Sequence, residues 1–238
     1  MRGRLALVGS GEYLPVMHEI EAWLLEDRPR VYVQLATAAS TEGEHTIKHW
    51  HELGAVAAQR LDARQVVVDV RTRADADEQR WVDAIEGAGL IYLSGGKPTH
   101  LADTLRGTRV WAAIESAWQS GASLAGCSAG AMVMGGYVPD FRHPKSGGAE
   151  GLGIVSAARV MPHFDRLGGW LPNLALRPLT APDAVVLGID EDTALVADAQ
   201  NGTTWTWRPM GRQSTYVIGR DDRTRIDDEI ALEVRAQA

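Results

Sequence analysis

The pentapeptide Gly126-Cys127-Ser128-Ala129-Gly130 places a serine between two glycines, a pattern that can make its hydroxyl a nucleophile. A short apolar run, Ala122 to Ala125, precedes it, and a helix-prone segment, Ala131 to Met134, follows it. In so sharp a turn between a buried strand and a helix, glycines leave room for the backbone and the serine hydroxyl is lifted above the sheet. The backbone N–H of Ala129, at the positive end of that helix, could then help to hold an oxyanion. The pattern favours a nucleophilic Ser128 over a plain turn with a solvated serine.

A serine hydroxyl needs a base to accept its proton and a third group to orient that base. Among the seven histidines, His163 follows Pro162 just after an apolar run, and strand ends are where open α/β sheets display functional groups. His100 could also reach a site above the sheet, whereas His45 and His49 share a helix face without a convincing third metal ligand. On the residues alone, a packed or surface imidazole at His163 is an equally good interpretation.

Three consecutive carboxylates, Asp190-Glu191-Asp192, stand at the end of the apolar run Val185 to Ile189. Like charges this close repel one another, so the cluster would not be chosen for stability alone. In extended geometry Glu191 faces opposite to Asp190 and Asp192, and only one face can look toward the histidine. The residues leave open which face that is, and a solvated acidic turn is the alternative.

These groups need a scaffold that brings distant strand ends together. Short apolar runs alternate with amphipathic helices, which is typical of a parallel sheet covered on both faces.

Residues 136–153 are rich in Gly, Pro and charge and predict a loop over the site. Gly9-Ser10-Gly11 begins like a dinucleotide fingerprint, but Leu14 stands where the third glycine should be, so the fingerprint is incomplete. The expected strands are Leu5 to Val8, Val31 to Leu35, Val66 to Val70, Leu90 to Leu93, the run Ala122 to Ala125 that leads into the pentapeptide, and Val185 to Ile189, with a terminal antiparallel extension at Trp205 to Trp207, Tyr216 to Ile218 and Ile230 to Val234. The expected helices are Val16 to Leu25, one from about Glu42, Asp77 to Glu86, His100 to Leu105 and Val110 to Gln119.

Length and composition restrict the class of protein. The 238 residues suffice for one α/β domain with a large core, and we expect residues 1–238 to form a single domain. The net charge of −7, without a clustered basic face, argues against a nucleic-acid partner. A single cysteine fits a reducing compartment. The first apolar stretch is too short for a signal sequence and no run could span a bilayer, so we expect a cytoplasmic protein without a membrane partner.

Six stretches in a fixed order carry a family resemblance. They are Gly9-Ser10-Gly11-Glu12, Leu35-Ala36-Thr37-Ala38-Ala39-Ser40, Ile91-Tyr92-Leu93-Ser94-Gly95-Gly96, Gly126-Cys127-Ser128-Ala129-Gly130-Ala131, Pro162-His163-Phe164 and Gly188-Ile189-Asp190-Glu191-Asp192-Thr193-Ala194-Leu195. Together they resemble the peptidase E and cyanophycinase family of serine peptidases. The likeness runs from near residue 5 to about residue 210, and the combination is far more specific than any single stretch.

This resemblance implies a class I glutamine amidotransferase-like fold, a three-layer α/β/α arrangement with a mostly parallel central sheet and the nucleophile on a strand–turn–helix elbow. It implies a triad of Ser128, His163 and Glu191, in that order along the chain. It also implies an oxyanion hole made by the backbone N–H groups of Gly96 and Ala129. No metal and no cofactor are expected. The expected partner is a small peptide substrate, and a homodimer is left open.

The residues that would set specificity depart from both named members of the family. Lys97-Pro98 follows the double glycine, where the family often has Asn or Asp and then Gln, and only Arg166 stands where cyanophycinase-like sequences carry several arginines. We expect Lys97, Arg166 and the loop from Tyr137 to His143 to line the pocket. Two cations there would favour a substrate carboxylate, and Asp140 would hold a free amine. Solvated rim positions for Lys97 and Arg166 are the alternative.

The predicted activity is hydrolysis of peptide or isopeptide bonds in small aspartyl-containing peptides, dipeptidase-like or cyanophycinase-like, through an acyl-enzyme on Ser128. Two alternatives stay open. Cys127 would be the nucleophile of an amidotransferase-like enzyme, although its place in the pentapeptide points its side chain away from the serine's pocket. The departure at Lys97-Pro98 motivates a binding protein that keeps the fold and has lost turnover.

Overall fold

Short strands and helices alternate along the chain in the computed structural model, which describes residues 1–139, 148–167, 169 and 171–236. The strands are β1 (Leu5–Val8), β2 (Val31–Leu35), β3 (Arg64–Val67), β4 (Leu90–Leu93), β5 (Ser123–Cys127), β6 (Tyr137–Val138), β7 (Ala149–Glu150), β8 (Ala158–Met161), β9 (Val185–Ile189), β10 (Thr193–Ala197), β11 (Thr204–Gly211), β12 (Thr215–Ile218), β13 (Arg223–Arg225) and β14 (Ile230–Glu233). The α-helices are α1 (His18–Leu25), α2 (Glu44–Arg60), α3 (Gln79–Asp83), α4 (Pro98–Leu105), α5 (Arg109–Gln119), α6 (Ala129–Met134), α7 (Phe164–Leu167) and α8 (Asn173–Leu176). Short 3₁₀ turns occupy Pro15–Met17, Thr37–Glu42, Asp75–Asp77 and Arg177–Leu179.

The main sheet contains eight strands in the described part of the chain, in the order β14-β11-β10-β1-β5-β4-β2-β3. The five strands from β1 to β3 in this order pair in parallel. The other three are added through antiparallel pairs, with β10 next to β1. The mostly parallel central sheet that the sequence predicts is therefore confirmed.

Strand β1 shows why both faces of this sheet are covered. Leu5 and Leu7 are fully buried in one apolar cluster, whereas Ala6 and Val8 are fully buried in a second. Successive side chains of a strand point to opposite faces, so a strand buried on both sides has to be apolar at every position. The run Leu-Ala-Leu-Val meets that requirement, and it brings Val8 level with Cys127 at the end of β5.

A second sheet, in the order β13-β12-β9-β8 among the described residues, supplies the other strand ends that matter for the site. β8 and β9 are parallel, with Met161 opposite Gly188. Their carboxyl ends therefore lie side by side, and so do the residues that follow them. A Cβ at Gly188 would lie 2.7 Å from the ring of Phe164, so the glycine lets the segment after β8 pack closely on β9.

Several boundaries differ from those expected. The third strand is Arg64–Val67 instead of Val66 to Val70, and its last paired residue, Val67, is opposite Gln34 of β2. The helix expected to run to Glu86 is shorter, and turns follow it up to Gly87. The expected terminal extension is divided, since β11 and β14 join the main sheet while β12 pairs with β9. The predicted strands do not include β10, which pairs with β1, or the shorter strands β6, β7, β8 and β13. No α-helix within the described ranges is long and apolar enough to cross a membrane.

Candidate active site

Ser128 occupies a strained turn between β5 and α6. Its backbone has φ 51° and ψ −109°, a conformation that residues other than glycine rarely adopt. Its N–H donates to the carbonyl of Val8 at 2.9 Å, which fixes the start of the turn. A Cβ at Gly126 would lie 2.4 Å from the backbone of Gly130, and a Cβ at Gly130 would lie 2.2 Å from the carbonyl oxygen of Leu93. Both glycines are thus required by close backbone approach, as the sequence predicts.

The side chains of Ser128, His163 and Glu191 form a continuous chain of hydrogen bonds. Ser128 Oγ lies 3.0 Å from His163 Nε2, and His163 Nδ1 lies 3.0 Å from Glu191 Oε1. A carboxylate can only accept, so Nδ1 carries the proton in this pair and Nε2 is left as an acceptor for the serine hydroxyl. All three side chains are half-buried, which limits competition from water while leaving access to the hydroxyl. The arrangement can therefore activate a serine as a nucleophile.

Of the three consecutive carboxylates, it is Glu191 that contacts the histidine. Asp190 is buried and accepts the N–H of Ser214 at 3.2 Å. Its pKa is raised, chiefly by burial, with a further contribution from the nearby charge of Asp165. Asp192 has φ 53° and directs Oδ1 toward Gly11. The segment after β9 is a turn and not an extended strand, so the expected alternation does not apply, and it is this turn that directs Glu191 toward the histidine.

Three neighbours that the sequence did not single out hold Glu191 in place. Asp165 accepts the backbone N–H of Glu191 at 2.9 Å. The backbone carbonyl of Glu191 accepts the hydroxyl of Thr193 at 3.0 Å and the side-chain amide of Gln213 at 3.0 Å. Asp165 lies two residues after His163, so one short segment supplies both the histidine and a support for its acid.

Arg166 lies on the outer side of the same carboxylate. Its Nε is 3.3 Å from Glu191 Oε2 and 3.6 Å from Asp165 Oδ2, and its side chain is 72% exposed. The sequence predicts that Arg166 lines a substrate pocket. Here it is an exposed residue whose cation faces two carboxylates of the site, so any effect on a substrate competes with these pairs.

The loop that contains Gly95 and Gly96 packs directly against the elbow. A Cβ at Gly95 would lie 3.4 Å from Ser128 Cβ. Gly96 has φ 134°, which favours glycine, and a Cβ there would lie 2.5 Å from the backbone of Ala38. Within the described residues the N–H groups of Gly96 and Ala129 meet no acceptor. For Ala129 this follows from its position, because the first N–H groups of a helix lack intrahelical partners.

The side chain of Cys127 faces Glu12. It is fully buried, and its Sγ–H donates to Glu12 Oε2 at 2.7 Å. Burial, and after it the charge of Glu12, raise the pKa of the thiol well above its usual range. A thiolate is the nucleophilic form of cysteine, so this environment suits a packed thiol. His100 is also engaged elsewhere, with Nε2 2.8 Å from the hydroxyl oxygen of Ser40.

The remaining predicted substrate residues divide into two groups. Lys97 is exposed at the N-terminus of α4, directly after the Gly95-Gly96 loop. Asp140 and His143 lie outside the described residues. The part of the predicted loop that is described forms the short pair of β6 with β7, in which Val138 is opposite Ala149.

A mostly parallel sheet between helices, with a serine on a strand–turn–helix elbow, is the class I glutamine amidotransferase-like fold. A crystal structure of a candidate peptidase E protein from Listeria monocytogenes EGD-e shares this fold, with a TM-score of 0.62 at 15% identity over 90% of this chain and 100% of that one.

The sequence model of Peptidase family S51 matches residues 6–204, and the chain belongs to this family. A crystal structure of a peptidase from an acI-B1 Actinobacterium is 40% identical, with a TM-score of 0.87 over 98% of this chain and 97% of that one. A cyanophycinase from Geminocystis herdmanii (strain PCC 6308) is 29% identical over 220 residues, which cover 82% of this chain and 74% of that protein. The peptidase E and cyanophycinase resemblance of the sequence is thereby confirmed at the level of the family.

Proposed function

We propose that this chain is a serine peptidase that hydrolyses peptide or isopeptide bonds in small aspartyl-containing peptides through an acyl-enzyme on Ser128. The observation that carries the proposal is the chain of two 3.0 Å hydrogen bonds from Ser128 through His163 to Glu191. Membership of a peptidase family supports the reaction class. The dipeptidase-like preference for short substrates is part of the proposal.

In the proposed mechanism His163 Nε2 accepts the proton of Ser128 Oγ as that oxygen attacks the substrate carbonyl. Glu191 stabilises the imidazolium that forms, and general-base help of this kind contributes about 10²- to 10⁴-fold. The N–H groups of Gly96 and Ala129 stabilise the oxyanion, each contributing about 10²- to 10³-fold. His163 then protonates the leaving amine. Water, deprotonated by the same histidine, finally releases the acyl group and regenerates Ser128.

The environment of the two adjacent candidates favours Ser128 over Cys127 as the nucleophile. The serine hydroxyl contacts the imidazole, whereas the buried thiol donates to a carboxylate that disfavours its ionisation. An amidotransferase-like reaction at Cys127 would need the thiol to turn toward His163 and to lose the contact with Glu12. A serine acyl-enzyme needs neither change.

For specificity we propose a cationic rim that prefers a carboxylate on the acyl side of the substrate. Lys97 follows the loop that carries Gly96, and Arg166 follows His163, so the two cations flank the predicted oxyanion and base positions. Charge-assisted hydrogen bonds from these groups would favour an N-terminal or β-linked aspartate. Asp140 is proposed to hold the free substrate amine. The similarity to a cyanophycinase supports a peptidase reaction.

Profiling a dipeptide library tests the activity and its specificity together. Ser128→Ala is expected to abolish turnover with little change in melting temperature, because only the hydroxyl is removed. Wild type is expected to prefer Asp-X over Ala-X and Leu-X, and Lys97→Ala is expected to weaken that preference. Lys48→Ala is the matched control, since Lys48 is an exposed lysine on α2 paired with Glu52.

The variant Arg166→Ala separates two roles for that residue. A changed ranking of dipeptides is expected if Arg166 contacts the substrate. An equal loss of activity on every dipeptide would show that Arg166 acts through Glu191, and it would contradict the proposed role of Arg166 in specificity. Turnover that survives Ser128→Ala would contradict the assignment of the nucleophile.

A further inference from the structure

Glu12 is a buried carboxylate that connects the two backbone segments of the proposed oxyanion hole. It is only 6% exposed. Its Oε1 accepts the N–H of Gly95 at 2.8 Å, and its Oε2 accepts the Sγ–H of Cys127 at 2.7 Å. One carboxylate thus contacts the residue before Gly96 and the residue before Ser128.

On the first segment, the amides on either side of Gly96 are both engaged. The N–H of Gly95 donates to Glu12, and the N–H of Lys97 donates to the carbonyl of Ala38 at 2.8 Å. The N–H between them, that of Gly96, meets no acceptor in the described part of the chain. Two consecutive glycines have wide conformational freedom, so the direction of this N–H depends on the two flanking anchors. Glu12 is one of them.

On the second segment, Glu12 holds the last residue of β5. Cys127 precedes the strained Ser128, and its thiol keeps the proton that it donates because burial and the charge of Glu12 raise its pKa. The N–H of Ala129 follows two residues later at the start of α6. The carboxylate therefore forms hydrogen bonds with both the end of β5 and the Gly95-Gly96 loop.

The backbone around Glu12 explains why glycines precede it. A Cβ at Gly9 would lie 2.0 Å from the carbonyl oxygen of Asp190, and Gly11 has φ 86° with Oδ1 of Asp192 2.6 Å from where its Cβ would be. The turn from Gly9 to Gly11 thus lies against the acidic turn that supplies Glu191. The run that resembles the start of a dinucleotide fingerprint is instead a junction between the acid, the elbow and the loop of Gly96.

We propose that Glu12 is a positioning residue for the oxyanion hole, in which its two carboxylate oxygens set the spacing between the N–H groups of Gly96 and Ala129. The inference rests on the proposed serine peptidase function, since it assigns a support to that reaction. Both bonds need the length of the glutamate side chain and an acceptor facing Gly95. A misplacement of about 1 Å in such a site costs about 10²-fold in rate.

The test separates the effect of side-chain length from that of side-chain charge at position 12. Glu12→Gln keeps the length, and its amide oxygen can accept from Gly95. Glu12→Asp keeps the charge but is shorter by about 1.5 Å, one carbon–carbon bond, and cannot reach both partners. The readout is the second-order rate constant with which a fluorophosphonate probe modifies Ser128, because the phosphoryl oxygen of the probe requires the same N–H groups.

We expect Glu12→Gln to react at close to the wild-type rate and Glu12→Asp to react about 100-fold more slowly. The pH midpoint of the reaction should stay the same in both variants, because the contact of His163 with Glu191 is untouched. Melting temperatures show whether each variant is folded, and a Glu12→Asp rate equal to wild type would overturn the inference. So would a shifted pH midpoint, or a Gln variant slower than the Asp variant. An unreactive wild type would overturn the proposed function and the inference with it.

Discussion

At the scale of single residues, backbone strain is concentrated around the proposed catalytic groups. In the described part of the chain six residues other than glycine have positive φ, and three of them are Ser128, His163 and Asp192. A fourth, Tyr13, directly follows Glu12. Each such conformation costs on the order of 1–3 kcal/mol and persists only where neighbouring contacts hold it, which is typical of functional sites. The strained backbone and the hydrogen-bonded triad therefore share Ser128 and His163.

The role of Glu191 can be separated from that of the neighbouring carboxylate. Glu191→Gln keeps an acceptor for His163 Nδ1 but removes the charge that stabilises the imidazolium, so kcat is expected to fall by about 10³-fold or more. Asp190→Asn is the control, because Asp190 bonds to the N–H of Ser214 and not to the histidine. Steady-state kinetics on the best dipeptide measure both. Equal losses in the two variants would contradict the assignment of Glu191.

At the scale of strands and helices, the site is assembled from three strand ends in two sheets. β5 presents Ser128 from the main sheet, while the parallel neighbours β8 and β9 present His163 and Glu191 from the second sheet. Parallel strands have their carboxyl ends on the same edge, so the acid and the base meet once β8 and β9 pair. The Ser128–His163 contact then depends on how the second sheet packs beside the main sheet.

This assembly explains what the sequence could and could not predict. The elbow is local, so five consecutive residues identify it, and apolar runs identify most strands of the main sheet. Which of the three carboxylates contacts His163 depends on the pairing of β8 with β9. Residue patterns alone leave this question open, and only the family resemblance indicates Glu191. Glu12 could not be found in this way, because its partners Gly95 and Cys127 are 83 and 115 residues away in the chain.

The elbow itself is expected to be sensitive to the smallest enlargement. Gly126→Ala would place Cβ 2.4 Å from the backbone of Gly130, so the turn has to open. We expect loss of hydrolysis and a decrease of about 1–3 kcal/mol in the free energy of unfolding. Gly87→Ala is the control, because φ is 72° there and no atom lies within 4 Å of the added Cβ.

The control is expected to lose about 1–2 kcal/mol of stability through backbone strain alone and to keep its kcat. Urea unfolding and steady-state kinetics give the two quantities. Full activity in Gly126→Ala would show that the nucleophile does not depend on the tight turn.

At the scale of the whole molecule, a buried ionic group ties the segment that carries Glu12 to the sheet and to α2. Glu21 is fully buried and pairs with Arg60 at 2.9 Å. It also accepts the N–H of Tyr13 and the hydroxyl of Tyr32, each at 3.2 Å. Burial raises the pKa of Glu21 to about 7, with Arg60 acting in the opposite direction. The fold therefore carries a carboxyl whose ionisation is costly near neutral pH.

This group predicts how stability changes with pH. The ordinary pKa of the carboxyl is 4.5 and its folded-state pKa is about 7. The folded state therefore keeps a proton that the unfolded state loses between these values. The contribution of protonated Glu21 to the free energy of unfolding is fully present below pH 4.5 and is lost as pH rises through about 7. The free energy of unfolding falls by a total on the order of 3 kcal/mol over this range. Urea unfolding at a series of pH values should show this decline in wild type and a flatter profile in Glu21→Gln. Parallel profiles would contradict it.

Activation of Ser128 by His163 can be measured by covalent labelling of the serine. Wild-type protein is treated with a fluorophosphonate and the adduct is located by intact-mass and fragment mass spectrometry. We expect one adduct per chain, on Ser128, and its loss in His163→Gln because the hydroxyl then lacks its base. An unlabelled wild type, or an adduct elsewhere with Ser128 unmodified, would show that His163 does not activate Ser128.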